Sequence, residues 1–160
     1  MDIIAYTDGS YKQYPEAGAF YSGAAIIITD PNKNPHVLTT VGADPRYLGL
    51  RNVGGEIAAV VMACEYCLNT LHVTESDNLL IVHDYVGIRN WCLKKGDENY
   101  WKAKNPTAQF YRDYMNTKVK TRCRVMFQWV QGHSSSVGNG MADQYAKQAM
   151  QNYVANLRGK

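Results

Sequence analysis

Near the N-terminus, apolar residues fall into three short runs separated by turn-forming clusters. Residues 2–8 hold Ile3, Ile4, Ala5, Tyr6 and Thr7, a β-branched and aromatic run that meets Gly9-Ser10. A strand is expected to stop there, with Asp8 at its C-terminal end. Residues 18–29 form a second strand, closed by the turn Asp30-Pro31-Asn32-Lys33-Asn34-Pro35, and residues 36–42 form a third. Connections this short favour antiparallel neighbours, so the three should make a meander.

The period then changes. Ile57, Val60, Val61, Cys64, Leu68 and Leu71 recur at helical spacing behind Gly54-Gly55, which predicts a helix with one buried face and Glu56 in its first turn. Leu79-Leu80-Ile81-Val82-His83 is the continuous apolar run of a buried central strand, and it ends on Asp84. Residues 85–94 read as a short helix and 95–104 as a polar loop. Asn105-Pro106 marks a helix start, with Phe110, Tyr111, Tyr114 and Met115 as its apolar contacts. A last strand, residues 124–131, alternates on Val125, Phe127 and Trp129. A glycine- and serine-rich loop spans 132–140, and a final helix carries Ala142, Tyr145, Ala146, Ala149 and Tyr153, with Asp143 in its first turn. This order describes an α/β fold, a mixed sheet flanked by helices.

Composition narrows the class without naming a task. A chain of 160 residues buries roughly 70% of its unfolded surface and needs no disulfide. Its 46% hydrophobic and 19% charged residues are those of an ordinary globular chain. No repeat, low-complexity block or linker interrupts it, so one domain over residues 1–160 is expected. The longest apolar stretch, Ala24-Ala25-Ile26-Ile27-Ile28, falls far short of the ~20 residues of a membrane span and lies too far in for a signal sequence. No membrane association and a cytoplasmic location are therefore expected. The net charge of +3 suits a phosphate-backbone partner but does not single one out. Cys64-Glu65-Tyr66-Cys67 has no second cysteine pair to complete a zinc site, so Cys64, Cys67, Cys92 and Cys123 read as reduced interior thiols.

The chemistry lies in the acids. Asp8 and Asp84 end strands, while Glu56 and Asp143 begin helices. If the first and fourth strands are neighbours, Asp8 and Asp84 emerge side by side. Carboxylates gathered at one edge repel each other unless hard divalent cations neutralise them. A pair of such ions stabilises both the attacking and the leaving oxygen of an in-line phosphoryl displacement. Each acid alone also has a structural explanation: Asp8 suits a turn with Gly9-Ser10, and Glu56 and Asp143 complement helix dipoles. Asp84 resists that explanation, because an acid ending a buried apolar strand is costly without a partner.

Five segments carry a resemblance: Tyr6-Thr7-Asp8-Gly9-Ser10, Asn52-Val53-Gly54-Gly55-Glu56, Ile81-Val82-His83-Asp84-Tyr85-Val86-Gly87-Ile88, Trp129-Val130-Gln131-Gly132-His133-Ser134 and Asn139-Gly140-Met141-Ala142-Asp143. In this order and spacing, over nearly the whole chain, they resemble the type 1 ribonucleases H. The resemblance implies a ribonuclease-H-like five-stranded sheet, three strands antiparallel and then parallel strands. It implies an endonuclease that hydrolyses the RNA strand of RNA/DNA hybrids, leaving 5′-phosphate and 3′-hydroxyl ends. Two Mg²⁺ ions are implied, with Mn²⁺ as a substitute. Asp8 would bridge them, Glu56 and Asp84 would hold the ion nearer the leaving 3′ oxygen, and Asp143 would help hold the ion that activates water. His133 would assist proton transfer or product release; the other reading is a surface histidine in a loop. Backbone groups at Gly9 and Ser10 and the Asn52 amide occupy positions the family sets against 2′-hydroxyls in the minor groove. Ser10 and Asn52 equally suit a turn and a helix cap.

The chain also departs from the family. Family members commonly carry threonine before this asparagine, in a pocket for a DNA-strand phosphate. Here Arg51 stands there, so the contact is either remade by the guanidinium or lost. The segment from Trp91 to Lys104 replaces a strongly basic handle with a diluted one, Lys94, Lys95, Lys102 and Lys104 against Asp97 and Glu98, with Trp91, Tyr100 and Trp101 interleaved. The segment His83-Asp84-Tyr85-Val86-Gly87-Ile88, followed by Trp101-Lys102-Ala103-Lys104-Asn105-Pro106, looks closest to a bacterial or phage subgroup in which the domain often follows a viroplasmin-like hybrid-binding module. No separate module is expected here, and lower hybrid affinity and stronger salt dependence would follow. A monomer is expected. Three-prime exonucleases on a related sheet place Asp-x-Glu where this chain reads Asp8-Gly9-Ser10, and resolvases and transposase-type nucleases lack the Gly-His loop. The remaining alternative is a catalytically weak or silent hybrid-binding module, separated from the enzyme by metal-dependent cleavage.

Overall fold

The structure, a computed structural model, describes residues 1–132 and 137–159. Five strands, β1 (Asp2–Tyr14), β2 (Gly18–Ile28), β3 (His36–Gly42), β4 (Asn78–His83) and β5 (Arg124–Trp129), form one sheet in the order β3-β2-β1-β4-β5. The first three are antiparallel, and β4 lies parallel to both β1 and β5. The expected mixed sheet is present, with β1 and β4 adjacent. Helices α1 (Pro45–Leu48), α2 (Asn52–Asn69), α3 (Gly87–Asn90), α4 (Pro106–Tyr114) and α5 (Val137–Arg158) complete the fold.

Strand periodicity splits the core in two. Ile3 and Ala5 of β1 join Leu79 and Ile81 of β4 against Ile57 and Val60 of α2 and Tyr111 of α4. On the opposite face, Tyr6, Ala24 and Ile26 pack against Ala142 and Ala146 of α5. Each large aliphatic side chain so buried contributes roughly 1.5–3 kcal/mol. Ser22 Oγ donates to the Ala146 carbonyl at 2.8 Å, tying α5 to β2. The four cysteines are buried and free, and burial pushes Cys67 up to about 12 and Cys92 to about 11, which leaves inert thiols. Among the described residues no helix is long and apolar enough to cross a membrane.

Several boundaries differ from expectation, each for a physical reason. β1 does not stop at Gly9-Ser10 but runs on to Tyr14, paired with β2 through Gly9↔Gly23 and Ser10↔Ser22. Gly9 seats a helix instead of making a turn: a Cβ there would lie 2.1 Å from the Glu56 nitrogen and 2.2 Å from the Gly55 carbonyl carbon. Asp8 is therefore a mid-strand residue, just past Tyr6↔Val82, the last β1–β4 pair. α2 starts at Asn52, which puts Glu56 beyond its first turn, and α5 starts at Val137, inside the expected loop, which puts Asp143 in its second turn. α3 is only four residues long, and β5 ends at Trp129, whose ring is exposed and not in the core. The short α1, which opens on Asp44-Pro45, a start like that of Asn105-Pro106, and a π-helical segment, Met115–Val119, that prolongs α4 were not expected. Asn105 caps α4 as expected, its Oδ1 accepting from the Ala108 amide at 2.8 Å.

Candidate active site

Near the last β1–β4 pair, Tyr6↔Val82, the N-terminal parts of α2 and α5 reach β1, at Gly9 and Tyr6 respectively. Asp8, Glu56 and Asp84 converge there, each offering a carboxylate oxygen within 4.8 Å of the others. Asp8 and Glu56 are buried, and Asp84 is half-buried. The Gly9 amide donates to Asp8 Oδ1 at 2.9 Å and to Glu56 Oε1 at 3.0 Å, holding both carboxylates with one N–H.

Burial is the main force on these acids. It raises Asp8 to about 7, helped by the charges of Asp84 and Asp143 and opposed by hydrogen bonds from the Glu56 side chain and the Gly9 amide. Glu56 is raised well above its usual range by burial and then by the negative charge of Asp8. A cluster that costs so much to ionise suits hard cations, which prefer carboxylate oxygens. Glu56 Oε2 fits that assignment: it is buried and has no hydrogen-bond partner among the described residues.

Asp84 is held through its backbone. The Trp129 indole Nε1 donates to the Asp84 carbonyl at 3.0 Å, and the Val130 amide donates to the His83 carbonyl at 2.8 Å. His83 Nδ1 donates to the Tyr85 carbonyl at 2.8 Å, closing the turn across Asp84. Burial lowers His83 to about 4, so the imidazole is neutral near pH 7.

Asp143 faces the same cleft but stands outside the tight trio, its Oδ2 3.0 Å from Lys147 Nζ. The cleft has a volume of about 650 Å³ and is also lined by Gly9, Ser10 and Asn52. Arg51 is exposed and is not part of that lining. Its backbone has φ 55° and ψ −122° as it turns the chain into α2. His133 lies outside the described residues. Sequence reasoning missed Gln131, Asn139, Gln144 and Lys147 in the lining. Lys147 follows Asp143 by four positions on a helix, a spacing that could have been read. In the diluted basic segment Trp91 is buried, packed between Tyr85, Trp101 and Tyr111, while Trp101 is 36% exposed.

A sheet of order β3-β2-β1-β4-β5 with acids converging beside its central strand defines the ribonuclease-H-like class of fold. Solved structures agree: LC11-RNase H1, isolated from compost, superposes with a TM-score of 0.65 at 18% identity, over 96% of this chain and 98% of that one. The same protein in complex with an RNA/DNA hybrid gives 0.63 at 18% identity, over 92% and 99%. The chain belongs to the RNase H family, a family of hydrolases, whose model matches residues 1–151. It is 30% identical over 158 residues to Ribonuclease H of Parvibaculum lavamentivorans, covering 96% of this chain and 95% of the relative. It is 28% identical over 163 residues to Ribonuclease H of Francisella philomiragia, covering 99% and 95%.

Proposed function

We propose that this chain hydrolyses the RNA strand of RNA/DNA hybrids, leaving 5′-phosphate and 3′-hydroxyl ends. The observation that carries the reading is the convergence of Asp8, Glu56 and Asp84 oxygens within 4.8 Å, with Glu56 Oε2 unpartnered among the described residues. Divalent cations, two Mg²⁺ or Mn²⁺, supply charge neutralisation at the attacking and leaving oxygens when bound. Asp8, at the centre of the cluster, would serve both ions. Glu56 and Asp84 would hold the one on the leaving side, and Asp143 would help hold the other after parting from Lys147. His133 is the candidate for moving a proton to or from the leaving group.

Substrate choice falls to the rim. Gly9, Ser10 and Asn52 line the cleft, where backbone groups of the first two and the Asn52 amide would meet 2′-hydroxyls of the RNA strand. Arg51 would take a DNA-strand phosphate from just outside it. All four acids come from one chain, so one copy is sufficient for the chemistry. The test is cleavage of matched RNA/DNA, RNA/RNA and DNA/DNA duplexes with Mg²⁺ or Mn²⁺, repeated with Asp84→Asn. Cleavage of the hybrid alone, lost in the variant, is expected. Equal cutting of DNA/DNA, or an active variant, overturns the reading, and metal-independent binding without cleavage would leave a hybrid-binding module.

A further inference from the structure

Asn139 is a buried polar residue, 7% exposed, in the second position after the start of α5. Its Nδ2 donates to the Thr7 carbonyl at 3.0 Å and to the Val82 carbonyl at 3.4 Å. Thr7 immediately precedes Asp8 on β1, and Val82 stands two residues before Asp84 on β4. Val82 belongs to the last β1–β4 pair, Tyr6↔Val82, and Thr7 stands one residue past it, so both carbonyls lie where the two strands stop pairing. One amide group therefore spans the two strands at the point where their own hydrogen bonds no longer fix the gap. Asn139 also lies one helical turn before Asp143, on the same side of α5. Gly138 makes this approach possible, since a Cβ there would lie 2.3 Å from the Tyr6 ring.

We infer that Asn139 is a positioning residue that sets the separation of Asp8 and Asp84 and the placement of Asp143 against them, and so tunes cation affinity and turnover. This rests on the proposed function. Ser22 offers an internal comparison, because its hydroxyl ties α5 to the sheet at Ala146, farther along the helix from the acids. Both bonds hold the same helix. Only the one from Asn139 reaches the strands that carry the acids.

The test measures Mn²⁺ affinity by electron paramagnetic resonance, kcat and KM for a hybrid duplex, and Tm, for the native chain, Asn139→Ala, Asn139→Ser and Ser22→Ala. Asn139→Ala is expected to weaken Mn²⁺ binding and lower kcat by at least about tenfold each, with KM within about threefold, since small displacements at a reacting centre cost rate before binding. Asn139→Ser keeps one donor and should show an intermediate loss, which also serves if the alanine variant does not fold. Ser22→Ala should lower Tm while leaving Mn²⁺ affinity and kcat within about twofold. Unchanged Mn²⁺ affinity in both Asn139 variants overturns the inference, as does an equal loss in Ser22→Ala. If the native chain cuts no hybrid, the functional reading fails by itself, and the Mn²⁺ titration still decides the role of Asn139.

Discussion

The Gly9 amide sits 3.0 Å from Glu56 Oε1 because α2 rests directly on β1, with no side chain between them. Gly9→Ala would drive a methyl group into the α2 backbone, which cannot yield as a side chain does. The expected cost is about 3 kcal/mol or more, with a loss of kcat of at least about 100-fold as Glu56 moves off Asp8. Gly140→Ala is the contrasting change. Its Cβ would meet nothing within 4 Å and sits on a helix, so stability should rise by roughly 0.5–1 kcal/mol. Urea melts of the two variants check the pair, and a Gly9→Ala protein of native stability would contradict the contact.

The raised Asp8 gives a signed dependence on pH. In the unfolded chain Asp8 loses its proton near the ordinary aspartate value of 3.8, and in the cation-free fold only near about 7. Between those values the fold binds more protons than the unfolded chain, so this group's stabilisation is present below about 4 and is lost as pH rises through about 7. His83 acts in the opposite sense over part of that window, because it stays neutral in the fold down to about 4. Comparison with Asp8→Asn isolates the carboxylate. In EDTA the variant should match the native chain near the acid end and exceed its Tm by several degrees above pH 7, at about 2–4 °C per kcal/mol for a chain of this size. Saturating Mg²⁺ should abolish or reverse that advantage. A variant less stable than the native chain at high pH in EDTA would be inconsistent with the buried charge.

Trp129 offers a test of how Asp84 is held. Its ring is 46% exposed, so Trp129→Phe removes little packing while deleting the indole donor to the Asp84 carbonyl. A loss of about 1 kcal/mol in stability is expected, with kcat down about fivefold to tenfold from the displaced carboxylate. Steady-state kinetics at saturating Mn²⁺ decide it. Unchanged kcat would mean that His83 and Val130 hold the turn without the indole.

Much of this was legible because local pattern and tertiary demand agreed. The run from Leu79 to His83 is apolar on both faces since β4 lies inside the sheet, between β1 and β5, and that made Asp84 conspicuous. Ile3 and Ala5 pack on one face of β1 and Tyr6 on the other, so the uninterrupted run read at residues 2–8 reflects a strand covered on both sides. Glycine was where the reading failed. Gly9, Gly55 and Gly138 look like breakers, but each is a place where one element lies against another, a property of pairs distant in sequence. Reading residues 132–140 as loop hid Asn139, whose partners Thr7 and Val82 are contributed by two other elements. The trio of acids could be listed from the chain, and the Asp143–Lys147 pair could have been read from its four-residue spacing, but that Asp143 stands outside the tight trio required the fold.

Arg51 joins a backbone cost to a substrate role, and one substitution separates them. At φ 55° and ψ −122° a non-glycine residue carries about 1–3 kcal/mol of strain, which glycine does not. Glycine is also acceptable at a helix N-cap. Arg51→Gly should therefore leave stability equal or higher. If the exposed guanidinium takes a DNA-strand phosphate, the same change should weaken hybrid binding and reduce the slope of log affinity against log salt by about one. Because the arginine lies outside the cleft wall, kcat at saturating hybrid should hold. Thermal melts and binding at several salt concentrations give both readouts. A stabler variant with an unchanged salt slope would mean that the phosphate contact has been lost in this chain rather than remade, and a destabilised one would mean that the arginine side chain supports the turn into α2.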